Sequence, residues 1–191
     1  MRNKILIISG DPNSVNSEII YKSWKSLSTI KKRNIYIITN YELLKKQLKI
    51  LKYPIKLTKV KNIEEKIFTN NLKILDVKLK FRDPYNVSYK SSSIFIKRTL
   101  NLAHKIASTG KVKGIINCPI DKKKLSITNQ GVTELLASKC KIKDNSEVML
   151  IKGEKFSVSP ITTHIRLKDV SKKINSNLII KKLTTINKWF K

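Results

Sequence analysis

Two histidines and three polar segments are the groups in this sequence whose types and spacing could support chemistry. His164 stands in ITTHIRLKDV, where an apolar run gives way to a polar helix start. Imidazole is a common metal ligand, but a metal held by protein needs further ligands beside it. The other histidine, His104, falls in a helical pattern and is interpreted as structural. His164 is therefore a candidate metal ligand without a second imidazole in this chain, and a structural role for it remains the alternative.

The first polar segment, SGDPNSVNSEI (residues 9–19), follows a predicted strand and precedes a predicted helix that Ser17 would cap. Open α/β sheets place ligand-binding loops at such a position. Only Gly10 is present, so neither a GxGxxG motif nor a P-loop can be built here. The alternative is a structural turn in which Asp11 accepts a hydrogen bond from its own backbone.

The second polar segment, NCPIDKKKLSITNQGVTELLASK (residues 117–139), joins a strand to a helix that is predicted to begin at Gly131. Thr133 and Glu134 fall in the first turn of this helix, where free backbone N–H groups and the helix dipole favour an anion. Lys122 adds positive charge. The alternative is a solvated, lysine-rich loop.

Short β-branched runs alternate with helical periods along the chain, which predicts an α/β fold with a mainly parallel sheet flanked by helices over residues 1–191 as one domain. The helix over 91–108 would bury Ile94, Leu100, Ala103 and Ala107, and Gly110 would end it. The predicted strands are 4–10, 34–39, 55–60, 72–79, 112–120, 147–153 and 156–163, and the first of them would be buried on both faces of the sheet. The other predicted helices are 17–27, 41–51, 131–139, 167–174 and 177–190.

The net charge of +28 comes from 41 basic and 13 acidic residues, but only five of the basic residues are Arg. The lysines are spread over the whole chain, and Ile and Asn are also abundant, which is typical of an A/T-rich coding sequence. Arginine is the side chain best suited to bidentate contacts with bases and phosphates. Because arginine is rare here, a dedicated nucleic-acid role is not favoured. Nucleic-acid binding stays an alternative that predicts a steep salt dependence. The positive field would attract a small anionic substrate.

Several classes of protein are not favoured by the sequence. It contains no apolar run of the roughly 18 residues that a membrane-spanning helix needs, so a soluble, cytoplasmic protein is expected. Cys118 and Cys140 lack paired spacing and are predicted to be buried thiols.

The last helix runs into Lys191 without a cap or a following strand, so we expect the chain to be the N-terminal portion of a longer enzyme.

Taken in order, four segments resemble the 4-hydroxythreonine-4-phosphate dehydrogenase family of vitamin B6 and pyridoxal phosphate biosynthesis. SGDPNSVNSEII resembles the Gly-Asp-Pro loop and helix of that family, and GIINCPIDKKKL resembles its Pro-Ile-Asn-Lys strand and loop. GVTELLA resembles its His-Thr-Glu helix start, and VMLIKG with ITTHIRLKDV resembles its Val-Met-Leu and Thr-Thr-His segments. The resemblance extends over all 191 residues.

The resemblance implies an isocitrate/isopropylmalate dehydrogenase-like fold, a homodimer, and the use of NAD and a divalent metal (Zn, Mg or Co). It implies the oxidation and decarboxylation of 4-phosphooxy-threonine. By this resemblance His164 is one of three metal-binding histidines, and Thr133 contacts the phosphorylated substrate. The remaining ligands would lie in a C-terminal portion downstream of Lys191, and the residues that bind NAD and carry catalysis are not assigned.

This sequence departs from the family pattern at several positions. Val132 stands where many relatives have a substrate-contacting His, and Ser14, Asn16 and Ser17 replace small, Gly or Pro positions of the first loop. A truncated, inactive remnant or an anion-binding module of the same fold therefore remains an alternative to the enzyme.

Overall fold

A computed structural model describes residues 3–65, 67, 69–125, 131–141, 146–163 and 165–191, with the backbone alone at Glu134. The chain divides into two compact units, Met1–Val132 and Thr133–Lys191. Each unit is described by itself below. That residues 1–191 act as one domain stays a prediction.

The first unit is built on a five-stranded parallel sheet. Its strands are β1 (Ile5–Ile8), β2 (Ile35–Thr39), β3 (Leu57–Val60), β4 (Leu72–Asp76) and β5 (Gly114–Asn117), in the order β3-β4-β2-β1-β5. Ile8 lies opposite Ile38 of β2 and Asn117 of β5, and Thr39 lies opposite Asp76 of β4. The predicted parallel sheet is therefore confirmed, and the carboxyl ends of the strands meet at one edge.

Helices α1 (Asn16–Ser26), α2 (Thr29–Arg33), α3 (Tyr41–Ile50) and α4 (Tyr89–Ala107) connect the strands, and a 3-10 turn spans Lys122–Lys124. The Asn40 side chain caps α3 by accepting from the Leu43 N–H at 2.9 Å. The prediction that Ser17 caps α1 is wrong, because the helix already begins at Asn16 and the Ser17 hydroxyl is buried inside it. The five residues of α2 show no apolar period, which is why this helix was not predicted.

The core of the first unit lies on both faces of the sheet. One layer packs Ile20, Trp24 and Leu44 of the helices against Ile37 and Leu72. On the other side, α4 buries a row that includes Phe95, Ile96, Thr99, Leu100 and Ala103.

Two predictions about burial are wrong in detail. Ile94 is 42% exposed, because the buried face of α4 runs through Phe95 and Ile96 instead. In β1, Leu6 and Ile8 are fully buried, but Ile5 and Ile7 are half-buried and border an apolar groove beside the edge strand β5.

The second unit contains most of α5 (Val132–Lys139), the strands β6 (Ile151–Lys152) and β7 (Ser157–Val158), a 3-10 turn (Leu167–Asp169), α6 (Val170–Lys173) and α7 (Ser176–Phe190). The strands predicted over 147–153 and 156–163 are reduced to two residues each and pair antiparallel. The connection between them closes with a hydrogen bond of 2.9 Å from the Gly153 N–H to the Phe156 carbonyl. A parallel crossover needs a dozen or more residues, so this short connection permits only a hairpin.

The two cysteines differ. Cys118 is 7% exposed, as predicted, whereas Cys140 lies just beyond the end of α5 and is exposed, so the prediction is wrong there. Among the described residues, no helix is both long and apolar enough to span a bilayer.

Candidate functional site: the carboxyl edge of the sheet

Two loops leave the carboxyl edge of the sheet side by side. The first loop (residues 9–15) follows β1, and the second loop (residues 118–125) follows the neighbouring strand β5. The Cys118 N–H donates to the Ile8 carbonyl at 2.9 Å, and the Asp11 N–H donates to the Pro119 carbonyl at 3.1 Å. The two loops are thus hydrogen-bonded to each other as soon as the strands end.

The close approach of the two loops requires glycine at position 10. Gly10 has φ +73°, and a Cβ atom there would lie 2.4 Å from the Pro119 carbonyl oxygen. A left-handed backbone is strained for most other residues, and the contact distance leaves no room for a side chain. Gly10 therefore serves the packing of loop against loop.

Asn16, at the start of α1, ties the two loops together from inside. Its Nδ2 donates to the Asp11 carbonyl at 3.1 Å and to the Pro119 carbonyl at 2.9 Å. Only 3% of this residue is exposed. Buried carbonyls need partners, so the single amide group satisfies one acceptor of each loop.

A buried ion pair adds a third connection. The Lys124 Nζ lies 2.6 Å from the Asp11 Oδ2, and the two side chains are 10% and 7% exposed. The Asp11 Oδ1 also accepts from the Asn13 N–H at 3.0 Å, so the structural turn that the sequence analysis gave as the alternative to a ligand-binding loop is present. Asp11 therefore both shapes its own loop and compensates a buried lysine of the other.

Lys124 is the residue of this candidate site that the sequence analysis missed. The analysis singled out Lys122, which is exposed, whereas the 3-10 turn directs Lys124 inward. Three consecutive lysines gave no signal of which one is buried. The Asp11 carboxylate is the one signal that could have found it, because a carboxylate that becomes buried needs a counter-charge.

A third loop, residues 77–88, joins the same frame. Asn13 and Val87 exchange two hydrogen bonds of 2.8 Å, one through each side-chain atom of Asn13. Gln47 of α3 donates to the carbonyls of Pro12 and Pro84 at 2.8 and 2.7 Å. Three loops from three strands are consequently held in one arrangement, which we call the loop frame (residues 9–16, 77–88 and 118–125).

The loop frame contains one buried thiol. Burial raises the pKa of Cys118 to about 11, so this side chain stays a neutral thiol at physiological pH. Since the thiolate is the reactive form, Cys118 is a packing residue of the frame.

Comparison with known proteins places the chain in a family. Residues 31–191 match the family model described as "Pyridoxal phosphate biosynthetic protein PdxA". The chain belongs to the PdxA family. The membership predicted from the four segments is thereby confirmed.

Curated relatives carry the name of the enzyme. The 4-hydroxythreonine-4-phosphate dehydrogenase of Sulfurihydrogenibium sp. (strain YO3AOP1) is 32% identical over 197 residues, covering 98% of this chain and 58% of that protein. The enzyme of the same name from Aquifex aeolicus (strain VF5) is 31% identical, covering 100% of this chain and 58% of that protein. This chain thus spans 58% of the length of the two relatives.

A solved structure shows that the fold is shared. The crystal structure of a 4-hydroxythreonine-4-phosphate dehydrogenase from Burkholderia phymatum superimposes with a TM-score of 0.82 at 22% identity, covering 96% of this chain and 57% of that one. The parallel sheet and its helices are therefore the fold of a PdxA-family dehydrogenase.

The residues predicted to bind substrate and metal belong to the second unit or border it. Thr133 is the second residue of α5 and is exposed, and Val132 before it is half-buried. His164 lies outside the described residues. The roles of Thr133 and His164 in this PdxA-family chain stay predictions.

His104 lies in α4 and is half-buried, with its Nε2 3.5 Å from the Ser108 Oγ. Within the ranges that the structure describes, no group of three or more His, Cys, Asp or Glu side chains could hold a metal ion.

Proposed function

We propose that the protein acts as an NAD- and divalent-metal-dependent dehydrogenase that oxidises and decarboxylates 4-phosphooxy-threonine in the cytoplasm. The observation that carries this proposal is the match of residues 31–191 to the PdxA family. Because the chain spans 58% of the length of these two relatives, the activity is proposed for the whole protein.

The substrate carries a phosphate and a carboxylate, and two features support its binding. Thr133 lies in the first turn of α5, where backbone N–H groups without helical partners attract anions. Its hydroxyl is exposed and able to donate to a phosphate oxygen. The net charge of +28 would also raise the local concentration of a small anion.

The proposed reaction is a balanced two-electron oxidation. The substrate carbon that bears the secondary hydroxyl would transfer hydride to NAD, and the hydroxyl would release its proton to solvent or to a base. The product is a β-keto acid. When its carboxylate leaves as carbon dioxide, the electron pair of the broken C–C bond would pass to the ketone as an enolate, and the α-carbon would then take up a proton from solvent. NAD, when bound, would supply the two-electron acceptor.

The metal is proposed to bind at His164. The described residues do not provide a complete donor set for a metal. A metal held there would act as a Lewis acid on the substrate hydroxyl that is oxidised.

The loop frame gives the carboxyl edge of the first unit a fixed geometry. The Asp11–Lys124 ion pair of 2.6 Å and the bond of 2.9 Å from the Asn16 amide to the Pro119 carbonyl hold the second loop against the first. Groups on such preorganised loops need little further ordering when a ligand binds to them.

A homodimer is supported by the apolar surface of the second unit. Side chains that are half or more exposed include Ile151, Phe156, Val158, Leu183 and Trp189. Exposed apolar surface of this kind is typical of an interaction site. Sedimentation velocity would test the dimer, and Leu183→Asp would shift the protein toward monomer if this surface is the interface.

The roles of the two proposed residues can be tested with matched controls. His164→Ala should weaken binding of Zn²⁺ or Co²⁺, measured by calorimetry, by at least about tenfold and abolish NADH formation. His104→Ala, which removes the other imidazole, should leave metal affinity unchanged.

Thr133→Ala should raise KM by about tenfold through loss of a hydrogen bond to a charged group, with a smaller effect on kcat. Thr184→Ala on α7 is the matched control. Equal effects of His164→Ala and His104→Ala on metal affinity would contradict the metal assignment, and an unchanged KM would contradict the role of Thr133.

A further inference from the structure

A cavity at the carboxyl edge of the sheet lies beside the start of the third loop of the loop frame. It has a volume of about 480 Å³ and is bordered by α4 and by the segment that follows β4. We call it the α4 cavity, and its polar and exposed lining residues are Asn40, Lys78, Lys80, Ser91, Ile94 and Arg98.

The fold brings these residues together from three places. Asn40 follows β2 and Lys78 follows the adjacent parallel strand β4. Ser91, Ile94 and Arg98 are spaced at three and seven residues along α4 and so share one helical face. Parallel sheets commonly bind ligands at this edge.

The charge around the cavity is positive and uncompensated. Lys78, Lys80 and Arg98 are exposed, and none of them makes an ion pair or a side-chain hydrogen bond within the described part of the chain. The carboxylate of Asp76 at the end of β4 is already bonded to Lys59 at 2.8 Å and to the Tyr41 N–H at 2.8 Å. Three cationic residues that have no acidic partner in the described part of the chain therefore line the cavity.

The rest of the lining is ordered and partly apolar. Asn40 is 8% exposed, and its side chain is fixed by a donated bond to the Val77 carbonyl and an accepted bond from the Leu43 N–H, both of 2.9 Å. The Ser91 hydroxyl accepts from Ser88 at 3.0 Å and keeps its own hydrogen to donate. Ile94 is 42% exposed beside Leu79, which gives the cavity an apolar wall.

We propose that the α4 cavity binds a small phosphate monoester with an apolar or aromatic body. Arg98 would contact the phosphate through two N–H groups and the two lysines would act as point charges. Ile94 and Leu79 would pack against the body. The volume fits the size range of small-molecule sites. This site goes beyond the proposed function, which assigns no role to the side chains of Lys78, Lys80 or Arg98.

Calorimetric titration of the full chain with phenyl phosphate tests the proposal, with inorganic phosphate and benzyl alcohol as the partial ligands. Phenyl phosphate should bind at least about tenfold more tightly than either partial ligand. Arg98→Gln should weaken phenyl phosphate binding by about tenfold, because one charge-assisted contact is lost. Ile94→Asn should weaken phenyl phosphate and leave inorganic phosphate unchanged.

Lys97→Gln is the matched control, because Lys97 is an exposed neighbour on α4 and its loss lowers the net charge equally. It should change the affinity less than about twofold. Equal losses in Arg98→Gln and Lys97→Gln would mean attraction by the overall charge and would overturn the proposal. Equal affinities for phenyl phosphate and inorganic phosphate would overturn it as well. Neither outcome depends on dehydrogenase activity, so the two proposals can fail separately.

Discussion

The two units of the chain bury their apolar residues to very different extents. In the first unit Leu6, Ile8, Leu72 and Leu100 are completely buried between the sheet and its helices. In the second unit Phe156 is 75% and Trp189 64% exposed. Within the described ranges, all buried hydrophobic side chains lie between Leu6 and Leu125.

This difference follows from the layers that each unit can form. In the first unit, helices on both faces of a parallel sheet cover the apolar side chains of the strands. In the second unit, a hairpin with strands of two residues each and the helix α7 leave most of their apolar side chains exposed. The first unit supplies the rigid loop frame, and the second carries Thr133 and His164. The buried core thus lies in the first unit, whereas the residues proposed to bind substrate and metal lie in the second. The following substitutions test this division between a stabilising unit and a binding unit.

The largest expected contrast is between matched leucines. Leu100→Ala in α4 leaves a cavity in the core and should lower the free energy of unfolding by about 4 kcal/mol. Leu167→Ala in the second unit, where the side chain is 89% exposed, should change it by less than about 0.5 kcal/mol. Urea unfolding measures both. Similar losses at the two positions would contradict the division.

Breaking the buried ion pair should have the next largest effect. Lys124→Met leaves the Asp11 carboxylate buried without a counter-charge, and we expect a loss of about 3 kcal/mol in unfolding free energy. Adding Asp11→Asn should restore part of it, since the uncompensated charge is removed. A control is Lys122→Met on the same turn, where the lysine is exposed. Identical unfolding curves for Lys124→Met and Lys122→Met would contradict the frame.

The contact between the first and second loops can be tested with glycine. Gly10→Ala places a methyl group against Pro119 at φ +73° and should cost about 2 kcal/mol of unfolding free energy. Gly114→Ala in β5 is the control, because no heavy atom lies within 4 Å of a Cβ there. Thermal unfolding of the two variants should differ clearly. A Gly10→Ala protein as stable as wild type would show that the loops separate easily.

The smallest effect concerns pH. The pKa of Cys118 is raised by burial from 9.0 to about 11, so the unfolded chain ionises this thiol first as the pH rises. Stability from this group is complete below pH 9 and is lost above it, by about 1 kcal/mol between pH 9 and 10. Urea unfolding across this range should show a shallower pH dependence in Cys118→Ala. An equal pH dependence of the unfolding free energy in Cys118→Ala and in the wild type would mean that the thiol of the folded protein is in contact with water.

The sequence predicted the parallel sheet because apolar β-branched runs and helical periods are local signals. Local signals did not distinguish Lys122 from Lys124, since burial there depends on an aspartate more than a hundred residues earlier. The helical period predicted burial of Ile94 and not of Phe95, because the face of α4 that is buried depends on how the helix packs on the sheet. The hairpin of β6 and β7 was misassigned because its apolar residues read as core strands although they are exposed.

The candidate site was predicted in part. The loop after β1 and the turn made by Asp11 were predicted from residue types alone. The α4 cavity was not, because Asn40, Lys78 and Arg98 belong to three separate segments that only the fold brings together.

The most direct test of the central claim is NADH formation by the protein made from its complete gene, with NAD, a divalent metal and 4-phosphooxy-threonine. The account predicts an absorbance increase at the NADH band together with release of carbon dioxide, and no increase with the unphosphorylated 4-hydroxythreonine. A folded protein that binds NAD and the phosphorylated substrate but forms no NADH would contradict it.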